Sequence, residues 1–212
     1  MTETLEHKDI HKMIRGAVEA IKASHETLSR LDAATGDGDH GTTMLRSMTA
    51  VEATLDANAE APLKDLFYKI GWAIMSADGG STGPLLGSFF MGMSQGIAEH
   101  SQLDTAALAD VIGAGVAKMQ QQSKAQIGDR TMMDALLPAA AALHQAKDSG
   151  ASIRQMLKAA SEAACQGAEA TQTMTAKFGR ARNLGDRVLG HCDPGAVSIS
   201  LIFQGFFDSM QR

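Results

Sequence analysis

DAATGDGDHGTT, residues 32–43, decides how the rest of the chain is read. Gly36 to Gly41 match the spacing GxGxxG, which in a dinucleotide-binding unit follows a β-strand and opens a helix. The residues ahead of it do not alternate as a strand does. Ile10, Met13/Ile14, Ala17/Val18 and Ile21 recur at helical spacing, and Leu28 and Leu31 carry the stripe up to the motif. A turn between two helices is expected, and a dinucleotide-binding turn is excluded. An EF-hand loop is excluded as well. Counted from Asp37, its glycine position is Thr42 and its bidentate glutamate position is Met48.

Outward from this turn the same periodicity recurs. Leu63, Leu66/Phe67, Ile70 and Ala73/Ile74 form a second stripe. Leu108, Val111/Ile112, Val116 and Met119 form a third, opened by Asp104 as an N-cap. Ser152 with Gln155 makes a capping box ahead of Ile153, Met156/Leu157 and Ala160. Only VSISLIF (197–203) reads as a strand, and its place just after Asp193-Pro-Gly suits a helix start equally well. The fold expected is all-α, about eight helices in a single domain over 1–212. With 4% aromatic residues, the core is expected to be Ala, Leu, Ile, Val and the 13 methionines.

Composition narrows the function. A net charge of -5 argues against nucleic acid and anionic membranes as partners. No apolar run is long enough to span a bilayer, and the polar start MTETLEHKDIHK has no export signal. Cys165 and Cys192 form no CxxC pair. Together these place the chain in the cytoplasm with reduced thiols.

The chemistry is concentrated in four glycine-rich breaks. In the first, Asp37 and Asp39 flank a glycine, and Asp32 lies about one and a half helical turns earlier. Carboxylates so close repel unless a cation neutralises them, and hard oxygen donors suit Mg²⁺; a bare DxD is more often a cap with solvated turn residues. The second, ADGGSTGPLLG (77–87), offers backbone N–H groups, Ser81 and Thr82 to a phosphate, or a plain helix stop and start. The third, GRARNLGDRVLGHCDPGA (179–196), brings three arginines and a tight turn into a helix. The fourth, GDRTMMDALLPA (128–139), reads alone as a turn and a helix start.

In chain order, 32–43, 77–87, 128–139, GAEAT (167–171) and 179–196, the motifs resemble the nucleotide-binding (L) subunit of dihydroxyacetone kinases and the matching C-terminal domain of the single-chain enzymes. The resemblance spans essentially the whole chain. It implies a barrel of eight antiparallel helices with a nucleotide pocket at one end. Asp32, Asp37 and Asp39 would hold a pair of Mg²⁺ ions. His40, Gly41, Thr42 and Thr43 would lie along the phosphates, with Ser81 and Thr82 opposite. Ser123, Met132, Arg180, Asp193, Pro194 and Gly195 would complete the pocket. No protein nucleophile is implied; the metal site, His40 and Arg180 would assist phosphoryl transfer.

The implied activity is a kinase half-reaction, with a small keto sugar held on a separate K-type subunit. The donor is either ATP or bound ADP recharged by a phosphoprotein of the phosphoenolpyruvate-dependent phosphotransferase system. A homodimer is left open. A regulatory Mg²⁺-nucleotide module acting through a partner is the alternative reading. A metal-dependent hydrolase is disfavoured, because no further His/Asp cluster of ligand spacing is present.

Overall fold

A computed structural model describes residues 4–77 and 80–210. Among them are eight α-helices and no β-strand. They are α1 (His7–Thr35), α2 (His40–Ala57), α3 (Leu63–Ser76), α4 (Thr82–Ile97), α5 (Thr105–Gln122), α6 (Met133–Asp148), α7 (Ile153–Ala170) and α8 (Pro194–Ser209). The expected caps form: the Asp104 side chain accepts from Ala107 N, and Ser152 and Gln155 cap each other. VSISLIF is helical. Asp193 caps α8, Pro194 opens it, and Ile199, Ile202 and Phe203 turn inward at helical spacing.

Each helix packs on its neighbours in sequence, and α8 packs back on α1, so the ring closes. The closing seam is tight. A Cβ on Gly205 would lie 2.4 Å from Gly16 O, a distance only two glycines allow. The core departs from expectation in one respect. Phe67, Phe89, Phe90, Phe203 and Phe206 are all buried in it, alongside the aliphatic and methionine side chains. Few aromatics does not mean few inside, because each ring removes a large apolar area from water.

Antiparallel order in a closed ring has a consequence for chemistry. The connections α1–α2, α3–α4, α5–α6 and α7–α8 all fall at one end, and these are the four glycine-rich breaks. The even-numbered helices all begin there, so four helix N-termini lie at one end of the ring. At the opposite end an isolated bridge joins Leu5 to Leu103.

Candidate functional site

The four breaks enclose a cleft of about 230 Å³. Its acidic side is built by the α1–α2 turn. Asp32 sits in the last turns of α1, and its Oδ2 accepts from His40 N at 3.1 Å, tying the end of α1 to the start of α2. Gly38 holds φ +79°, a left-handed conformation that suits glycine and lets Asp37 and Asp39 turn back toward Asp32. One oxygen from each of the three carboxylates lies within 4.8 Å of the other two. Asp37 and Asp39 are exposed, Asp32 half-buried. Three hard oxygen donors at this spacing fit a divalent cation such as Mg²⁺. Arg180 reaches over from the α7–α8 connection and pairs with Asp37.

His40 is buried at the first position of α2. Ser198 Oγ donates to Pro194 O at 3.1 Å and so accepts from His40 Nε2 at 2.7 Å. That leaves Nδ1 as an acceptor, 3.5 Å from Thr82 Oγ1. Burial pushes the imidazole below its ordinary pKa, against the pull of Asp32 and of the Pro194 carbonyl, and favours the neutral ring. His40 thereby links the starts of α2, α4 and α8.

The opposite wall comes from Ser123, Thr131 and Met132 of the α5–α6 connection, from Phe178–Ala181, and from Asp193–Gly195. Asp193 Oδ2 accepts from Ala196 N at 2.8 Å, capping α8. Burial pushes its carboxyl up to about 6, against the Ala196 hydrogen bond and the Arg130 guanidinium, which favour the charged form.

The cleft gathers most of the residues expected from sequence: Asp32, Asp37, Asp39, His40, Thr43, Ser81, Thr82, Ser123, Met132, Arg180 and Asp193 to Gly195. Gly41 and Thr42 do not line it. Gly41 faces α1, where an added Cβ would lie 1.9 Å from His25 O. Thr42 borders an adjoining hollow with Asp37, Asp39 and Arg46. Asp78 and Gly79 of the second break lie outside the described residues. Sequence reading missed Thr35, Leu85, Thr131 and Phe178. Phe178 carried a usable signal, as one of few aromatics and directly before Gly179-Arg180.

The helical ring sets an acidic triad among helix N-termini, without the sheet that usually carries nucleotide sites. The model of the DAK2 domain matches residues 34–208, and the chain belongs to that family. It is 35% identical over 191 residues to the ADP-binding subunit DhaL of PEP-dependent dihydroxyacetone kinase 1 from Listeria innocua, covering 90% of each chain. It is 36% identical over 179 residues to the corresponding Escherichia coli subunit, covering 84% of this chain and 85% of that one. Human triokinase/FMN cyclase is 36% identical over 187 residues, which make up 88% of this chain but 32% of that protein. Among solved structures, the dihydroxyacetone kinase from C. freundii in complex with AMP-PNP and Mg²⁺ superposes with a TM-score of 0.76 at 26% identity, covering 99% of this chain and 35% of that one. The chain is a kinase subunit of the dihydroxyacetone kinase type. No helix among the described residues is long and apolar enough to cross a membrane.

Proposed function

We propose that the chain is the nucleotide-binding subunit of a keto-sugar kinase, which passes a phosphoryl group from a Mg²⁺-bound nucleotide to a small keto sugar, dihydroxyacetone or a close analogue, held by a K-type partner. The observation that carries this reading is the meeting of three carboxylate oxygens with the starts of α2, α4 and α8.

Asp32, Asp37 and Asp39 would hold the metal, as a pair of ions. Mg²⁺ bound there supplies charge neutralisation at the phosphates. The first-turn N–H groups of α2 and α4, with the Thr43, Ser81 and Thr82 hydroxyls, orient the phosphate oxygens. Neutral His40 accepts at Nδ1 and holds the Thr82 hydroxyl in place. Arg180, paired with Asp37 here, would turn to the phosphate chain and offset charge on the transferred group. Met132 and Phe178, which line the cleft, would flank the base. No side chain of this subunit needs to act as nucleophile, because the attacking hydroxyl belongs to the sugar.

Bound ADP, recharged by a phosphoprotein, is the donor arrangement this reading favours. It is supported by the relatives that match over most of both lengths, which are named as ADP-binding subunits of PEP- or PTS-dependent kinases. The test is to dialyse the purified protein against Mg²⁺ buffer, denature it and identify released nucleotide by mass spectrometry. Stoichiometric ADP is the expected result. An empty protein that binds Mg²⁺-ATP reversibly points to ATP as donor, and one that binds neither nucleotide refutes the function.

A further inference from the structure

The turn 128–131 carries two adjacent buried charges that take no part in the cleft chemistry above. Asp129 is 7% exposed and Arg130 1%, and Arg130 holds φ +59°, a conformation rarely adopted by residues with a side chain. Burying neighbouring charges is costly unless each meets a partner. Here each reaches a different end of one segment. Lys177 N donates to Asp129 O at 3.1 Å, and Lys177 Nζ donates to Asp129 Oδ1 at 2.6 Å. Arg130 donates to His191 O at 3.0 Å, and its second terminal nitrogen lies 3.9 Å from Asp193 Oδ1.

Residues 178–190 run between these two anchor points. At their start stand Phe178–Ala181, and just past their end stand Asp193–Gly195, the two parts of the cleft wall contributed by the α7–α8 connection. The turn itself is fixed to α6, because Asp134 accepts from Gly128 N at 2.6 Å and from Thr131 N at 2.7 Å. The backbone between the anchors includes a sharp break at Gly185 and cannot set the wall by helical rigidity alone. Two neighbouring residues of the turn leading into α6 therefore hold both ends, the far end together with the bonds from Gly190 N to Gln172 O and from Asp193 N to Thr171 Oγ1.

We propose that Asp129 and Arg130 are positioning residues for the nucleotide cleft, pinning the two ends of the 178–190 strap so that Phe178–Ala181 and Asp193–Gly195 face the metal-binding aspartates. The inference rests on the nucleotide-binding reading and adds to it residues that touch neither nucleotide nor metal. Arg130 also has an electrostatic role. It is the cation beside Asp193, whose other charged neighbour is Asp134, with the Cys192 thiol next to it in sequence.

The test uses the full chain, with ADP affinity measured calorimetrically in Mg²⁺. Lys177 is 61% exposed, so Lys177→Met leaves the core untouched. It is expected to weaken ADP binding about tenfold through loosening of the wall, with Lys177→Arg restoring it. Folded Arg130→Met is expected to weaken binding at least as much and to move the Asp193 carboxyl titration, followed by ¹³C NMR, to higher pH. Arg130→Lys keeps the charge, so it leaves that titration in place while weakening ADP about threefold through loss of the His191 bond; it serves as the variant where Arg130→Met does not fold. Wild-type ADP affinity in Lys177→Met, or in a folded Arg130 variant, overturns the proposal. Failure of the wild type to bind ADP overturns the nucleotide reading itself, and this proposal with it.

Discussion

Gly41→Ala puts one methyl group where α2 starts against α1. Its Cβ would lie 1.9 Å from His25 O, 2.5 Å from Ser29 Oγ and 2.7 Å from Ser29 N. Two of these are backbone atoms inside the hydrogen-bonded ladder of α1 and cannot swing away. Heavy atoms do not settle closer to a Cβ than 3.0 Å, so the start of α2 must retreat by about 1 Å. Overpacking of this kind costs about 1–3 kcal/mol, here near the upper end, while replacing a helical glycine by alanine gains about 1 kcal/mol. A net loss of about 1–2 kcal/mol lowers the melting temperature by about 2–8 °C for a chain of this length. His40 and Thr43 move with the helix, and a misplacement of about 1 Å at a binding site weakens ADP by one to two orders of magnitude. Calorimetric melting and ADP titration in Mg²⁺ measure both effects. Gly113→Ala in α5 is the internal control. Its Cβ meets only the His144 ring, at 3.2 Å, which can rotate, so this variant is expected to be neutral or stabilised by up to about 1 kcal/mol. A Gly41→Ala protein that melts at or above wild type and binds ADP normally would refute the close-approach argument.

Asp39→Asn keeps the shape of the acidic cluster and removes a charge; ADP affinity should then lose most of its dependence on Mg²⁺, and calorimetry with and without the metal reads this directly. Ser198→Ala leaves His40 Nε2–H buried without its acceptor, at a cost of about 1–3 kcal/mol that urea unfolding should show. Asp193, pushed up to about 6, binds its proton more tightly folded than unfolded, where its value is about 3.9. Its contribution is therefore full below pH 4 and is lost as pH rises through 6. The stability of wild type relative to Asp193→Asn should fall by about 2–3 kcal/mol between pH 4 and pH 7, and a flat difference would contradict the raised value.

Much of this was legible before any coordinates. α1, α3, α5 and α7 announce themselves because each buries one face and leaves the other wet, so apolar residues repeat at helical spacing. α4 does not. Leu86 to Phe90 are all buried, as are Gly92, Met93 and Ser94, and a helix enclosed on nearly all sides has no polar face to mark its period. The residues of α8 that pass for a strand are ambiguous for the same reason. At the site, Asp32, Asp37 and Asp39 stand out because acidic density in a glycine-rich turn is rare. Gly41 reads from sequence as part of a phosphate loop, and its close approach to α1 is a second constraint that no local pattern reveals. Arg130 lies in a stretch that reads from sequence only as a turn and a helix start, and the fold alone shows that its side chain is buried.

The glycine seam between α1 and α8 sets a schedule for the ring. Its two sides, Gly16 and Gly205, lie at opposite extremes of the helical order. At about 5–20 residues per second, a ribosome needs on the order of 10–30 s after finishing α1 to reach the end of α8. Through that interval α1 has α2 beside it but not its other neighbour, so the inward row Ile10, Met13 and Ile14 waits partly uncovered. On the ribosome, the first helix of the ring therefore lacks its second neighbour until the last helix has been made.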